Sequence, residues 1–80
     1  MRQVGQSPYS IMSEILEAIS NGGGTIKDKD LYDVLRKRYE ITYSDFLKYL
    51  MILEIRGFIV VSTAREDIKI ISLAPHLKQS

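Results

Sequence analysis

Cysteine is missing from this chain of 80 residues, which rules out disulfides, thiolate nucleophiles and cysteine-based zinc sites. No apolar run approaches the roughly 20 residues that a membrane-spanning helix needs. No secretory leader is recognisable either, so a cytoplasmic protein without membrane contact is expected. Histidine occurs once, as His76, and a lone imidazole in a tail makes neither a catalytic triad nor a metal cage. Charge of one sign is also lacking. The 11 basic and 10 acidic side chains leave a net +1, so affinity for a polyanion would have to come from where cations sit. Asp28, Asp30 and Asp33 have the spacing of neither a calcium loop nor paired acid–base carboxylates. No enzyme activity, catalytic residue, metal site or cofactor is expected.

What is present is an ordinary hydrophobic fraction, 45 %, in a length that suits one small core. Residues 1–6 read as an arm, 7–74 as the domain and 75–80 as a short polar tail. Ser7-Pro8 opens a helix over 8–21, with Ser7 as cap and Pro8 in the first turn, where its missing N–H is harmless. Met12, Ile15, Leu16 and Ile19 form its buried stripe. Asn21-Gly22 ends it, with Gly22 as the left-handed cap. Gly22-Gly23-Gly24 is not a phosphate loop, because it follows a helix and lacks the Gly-Lys-Ser/Thr ending.

Thr25-Ile26 then fits a very short strand. A second helix is expected over 28–39, burying Leu31, Val34, Leu35 and Tyr39. Its end carries the densest basic cluster, Arg36-Lys37-Arg38, readable as a solvated helix terminus or as a phosphate contact. Thr42 and Asp45 resemble a capping box that starts a third helix over 43–56, with Phe46, Leu47, Leu50 and Leu53 inward and Gly57 as left-handed stop. Phe58–Thr63 and Ile68–Leu73 read as a hairpin joined by Ala64 to Asp67. Both strands are apolar on both parities, which predicts cover over the second face. The five tyrosines lie scattered along the chain, and most of them read as half-buried packing groups.

Asp30-Leu31-Tyr32-Asp33-Val34-Leu35, Ser44-Asp45-Phe46-Leu47-Lys48-Tyr49-Leu50 and the junction Leu53-Glu54-Ile55-Arg56-Gly57-Phe58-Ile59 carry a family resemblance. From Thr25 to Leu73 the chain resembles the small winged helix-turn-helix domains of archaeal and bacterial DNA-binding regulators. The last segment is similar to the L-E-x-R-G-L-I junction where the third helix enters the wing. The resemblance implies an α+β fold, three helices followed by a β-hairpin wing. It also implies a third helix in the major groove of double-stranded DNA, with Ser44, Lys48 and Tyr49 as reading positions. Arg65 at the wing tip, and Lys27 and Lys29 at the start of the second helix, would meet the backbone. Arg56 is a further basic group the fold could bring to the same side. Asp45 on the reading helix, and Glu66 and Asp67 at the wing, depart from the pattern of strong DNA binders.

The outer face of the third helix changes character along its length. Ser44, Asp45 and Lys48 are followed by Met51, Ile52 and Ile55, an apolar patch that predicts self-association or a protein partner. A DNA-binding transcriptional regulator acting as a homodimer is the expected function. The alternative is a protein-docking winged-helix module or a small accessory subunit of a larger nucleic-acid-processing complex.

Overall fold

The computed structural model describes residues 8–78; the 1–6 arm and the Ser7 cap lie outside the described residues. The first helix, α1 (Pro8–Asn21), has the expected bounds. Its buried stripe is Ile11, Ile15 and Ile19, spaced four apart, while Met12, Leu16 and Ala18 flank it only partly covered. The expected stripe was therefore rotated by part of a turn, and Ile11 was missed. Helix α1 stops in a paired cap: the Gly23 N–H donates to the Ser20 carbonyl at 3.0 Å and the Gly24 N–H to that of Ile19 at 2.9 Å. The positive-φ residues are Gly23 and Gly24, at φ 89° and 95°, and not Gly22.

A short strand, β1 (Thr25–Lys27), leads directly into α2 (Asp28–Arg36). Leu31 and Leu35 are fully buried, but Val34 is exposed and Tyr39 lies beyond the helix. The helix ends three residues earlier than its apolar spacing predicts, for a local reason. The Arg38 and Tyr39 N–H groups both turn back to the Leu35 carbonyl, at 3.0 and 2.9 Å. The Tyr32 hydroxyl then donates to the Ile41 carbonyl at 2.9 Å and draws the 37–42 loop along α2, with Ile41 buried.

Helix α3 (Tyr43–Ile55) begins where expected, its Thr42 hydroxyl accepting the Asp45 N–H at 3.1 Å. Phe46, Leu50 and Leu53 face the core, and Leu47 is partly covered. Gly57, at φ 83°, lets the chain leave the helix, and the Phe58 N–H donates back to the Leu53 carbonyl at 2.9 Å. Removing the Phe46 ring to alanine would cost about 3–5 kcal/mol by the usual penalty for an aromatic core cavity.

The chain ends in β2 (Ile59–Arg65), β3 (Ile68–Leu73) and one helical turn, α4 (Pro75–Lys78), where a plain polar tail was expected. All pairing is antiparallel in the order β1-β3-β2, so the last strand is central. Strand β2 starts one residue later than expected and runs on to Arg65, leaving Glu66-Asp67 as the turn. The register slips by one residue between Thr63 and Arg65, a bulge that sharpens the local twist. Ile59 and Ile71 point into the core. The expected cover over the second sheet face is not seen among the described residues: Val60 stays 45 % exposed there. A Thr25–Ser72 hydroxyl pair at 3.1 Å makes that face partly polar. The architecture is thus α+β, with α1–α3 packed on a three-stranded antiparallel sheet. No helix among the described residues is long and apolar enough to cross a membrane.

Candidate nucleic-acid interface

Asp28 organises the polar end of the molecule. It occupies the first position of α2, is 1 % exposed, and leaves the N-cap at Lys27 without a side-chain hydrogen bond. Burying a carboxylate is tolerated only where donors replace water. Here the Tyr43 hydroxyl donates to Oδ2 at 2.9 Å and the Lys69 backbone N–H to Oδ1 at 3.3 Å. One side chain therefore ties together the starts of α2 and α3 and the central strand β3. The spacing of Asp28 to the other acids forms no known ligand set, so spacing alone gives it no role. A signal was present in its position, straight after a strand and at the first turn of a helix, but nothing local identified the donors.

Tyr43 is half of this tie. Its ring packs edge-on to Tyr32 with centroids 5.1 Å apart and lies 5.6 Å from Phe46, while Tyr32 is 5.3 Å from Phe46. The tyrosines are therefore not all scattered: two of them join Phe46 in one cluster beneath the start of α3. The phenol pKa of Tyr43 is raised above its ordinary 10.0, first by burial, then by its hydrogen bond to Asp28 and the charge of that carboxylate.

Around this tie stand several expected contact residues. Lys27 and Lys29 bracket Asp28, and both are exposed. Lys29 Nζ lies 3.7 Å from Asp67 Oδ2, which places the hairpin turn beside the start of α2. Arg65 is exposed at the end of β2, opposite Ile68. Ser44 follows Tyr43, and Lys48 lies one turn further along the same outward face. Lys27, Lys29, Ser44, Lys48 and Arg65 come from four elements, β1, α2, α3 and β2. The Asp28–Tyr43 bond joins the starts of α2 and α3, and the Lys29–Asp67 pair brings the hairpin turn beside α2. Asp45, Asp67 and Glu66 are exposed on or beside these elements and dilute their charge.

Two expected residues are not brought there. Arg56 caps the far end of α3, about 18 Å along the axis from Ser44 at 1.5 Å per residue. Tyr49 is half-buried against the core and does not share the outward face of Ser44 and Lys48. No protein-family model, curated protein or solved structure matches this chain. The groups of the site therefore carry the functional reading.

Further along α3 the outward face is apolar. Met51 is 57 %, Ile52 37 % and Ile55 76 % exposed. Met51 also borders a groove of about 220 Å³ that Leu47, Val61 and Lys69 line between α3 and the sheet. No group of three or more His, Cys, Asp or Glu side chains that could hold a metal occurs among the described residues. Chemically, the polar end offers exposed cations and hydroxyls, a set suited to a polyanion.

Proposed function

We propose that the chain is a winged-helix DNA-binding protein, a cytoplasmic transcriptional regulator that works as a homodimer. The observation that carries the reading is the Asp28 tie together with the Lys29–Asp67 pair. These join the starts of α2 and α3 and the hairpin turn, the parts of the fold on or beside which Lys27, Lys29, Ser44, Lys48 and Arg65 stand. The order of three helices and a hairpin, with a short strand completing the sheet, supports a winged-helix layout. In it α3 enters the major groove, Ser44 and Lys48 face base edges and nearby phosphates, and β2–β3 forms the wing. Arg65 and Lys27 neutralise the backbone, and Lys29 does so when it leaves Asp67. A net charge of +1 limits the electrostatic contribution, so pairing two copies strengthens binding by doubling the phosphate contacts. The exposed Met51, Ile52 and Ile55 supply the apolar surface for that pairing.

Fluorescence anisotropy with random duplex DNA across a salt series tests this reading. Wild type should bind with a steep salt dependence. Lys48→Ala and Arg65→Ala should each lower the slope of log K against log salt by about 0.9, one released counterion. Absence of binding at the lowest salt would sink the proposal. The same apolar residues favour a second reading, a protein-docking module or accessory subunit. That reading gains if purified protein ignores DNA yet holds a stable partner through α3.

A further inference from the structure

Beside the start of α3, α2 and the 37–42 loop border an open cleft of about 570 Å³ that is lined by Arg36 of the basic cluster but by none of Lys27, Lys29, Ser44, Lys48 and Arg65. Its walls include Tyr32, Tyr39 and Tyr43, and its polar groups are Arg36, Glu40 and Thr42. Arg36 leans over Tyr32, its guanidinium carbon 5.6 Å from the ring centroid, within cation–π range. That contact uses none of the guanidinium N–H groups as donors to an oxygen. The neighbouring cations differ. Arg38 is engaged with Glu14 at 3.5 Å and Lys29 with Asp67 at 3.7 Å, whereas Arg36 has no ion-pair partner among the described residues. Thr42 accepts the Asp45 N–H through its oxygen, so its hydroxyl proton remains available on the cleft side.

We propose that this cleft seats one backbone phosphodiester of the bound duplex, gripped by the Arg36 guanidinium and the Thr42 hydroxyl. The inference rests on the DNA-binding reading and adds a contact to it. The location fits, because Tyr43 forms both the wall of the cleft and the residue before Ser44. A strand whose bases meet Ser44 and Lys48 therefore passes close by. Local charge selects the source of the phosphate. Arg36 and Lys37 are offset by Asp33 and Glu40, all exposed, so the cleft has little net attraction for a free anion. A phosphodiester delivered by a duplex already docked on α3 arrives at high effective concentration and needs no such attraction.

The test is duplex affinity across a salt series for Arg36→Ala, Arg36→Lys and Arg38→Ala, with a parallel NMR titration of wild type by inorganic phosphate. Arg36→Ala should lower the salt slope by about 0.9 and weaken binding about eightfold at 0.1 M salt, the share of one counterion. Arg36→Lys should restore the slope but only part of the affinity, since a lysine keeps the charge without the planar fork. Arg38→Ala should change the slope less than Arg36→Ala. Both side chains are exposed, and unchanged thermal melting verifies that each of the three variants folds. A wild-type slope in Arg36→Ala, alongside reduced slopes in Lys48→Ala and Arg65→Ala, overturns the phosphate seat and leaves the DNA reading intact. No duplex binding by wild type overturns both. Saturable shifts of Thr42 and Tyr43 amides with millimolar inorganic phosphate overturn the backbone assignment in favour of a free anion.

Discussion

Along the outward face of α3, the first turns and the last turns carry opposite chemistry, although the inward face is uniform. Ser44, Asp45 and Lys48 surround the start of the helix, close to Asp28 and the hairpin turn. Met51, Ile52 and Ile55 follow, with Ile55 the most exposed of the three. Phe46, Leu50 and Leu53 bury the other side throughout. Folding thus constrains a single stripe of this helix. The other stripe is free to be shaped by what the protein meets, and its division points to two contacts on one helix. Single exposed aliphatic residues need no explanation, but three within two turns do.

The largest effect expected from breaking this contrast lies at the polar end. Asp28→Ala should lower unfolding free energy in urea by about 2–3 kcal/mol, because it strands two donors that now serve a buried carboxylate. A loss below about 0.5 kcal/mol would mean that water replaces the carboxylate and that no tie exists there.

At the apolar end, Ile55→Glu should change assembly and leave folding nearly untouched. Light scattering should fall from twice the chain mass to once, with dissociation at least about tenfold easier, equivalent to 1.4 kcal/mol. If wild type is already a monomer at high concentration, the apolar half of the face has another role.

A smaller effect separates the two ends by pH. The folded pKa of Tyr43 lies above its unfolded value of 10.0, so the folded state holds the phenol proton more tightly. Its contribution to stability is complete below pH 10 and disappears as pH rises through the folded pKa. Wild type should therefore lose more stability than Tyr43→Phe between pH 9 and pH 11, while Ile55→Glu tracks wild type. Parallel curves for wild type and Tyr43→Phe would dismiss the coupling.

The smallest change is expected from Lys29→Ala. Its ion pair with Asp67 joins side chains that are 64 % and 78 % exposed, and such pairs contribute about 0–1 kcal/mol. A loss comparable to that of Asp28→Ala would show that the turn is anchored by charge and not by the buried carboxylate.

How much of this was legible depends on the range of the interactions. Helices α1 and α3 were readable because their signals are local: Pro8 at one start, Thr42 capping the other, and apolar residues at helical spacing. The early end of α2 was not, because it depends on a bond from Tyr32 to Ile41 across nine residues. The polar and apolar halves of α3 could be read from periodicity alone. Asp28 could not, since its partners lie 15 and 41 residues away and one of them is a backbone N–H, which every residue but proline supplies. Positions of exposed cations could be anticipated, yet not their partners: nothing in the sequence distinguishes Arg36, over the Tyr32 ring, from Arg38, paired with Glu14.

The strand order has a bearing on how the protein is made. Strand β3 lies between β1 and β2, yet it leaves the ribosome after both of them. Until Ile68–Leu73 emerges, β1 has no neighbour, and Asp28 lacks the Lys69 N–H it will accept. Helices α1–α3 are all synthesised earlier and can collapse together, but only provisionally. Closing the sheet joins Thr25 to Ser72 over most of the chain, an entropic step that local helical contacts do not require. Nascent chains arrested before residue 68 should therefore remain protease-sensitive despite containing every helix of the core, and acquire resistance abruptly once β3 is free to insert.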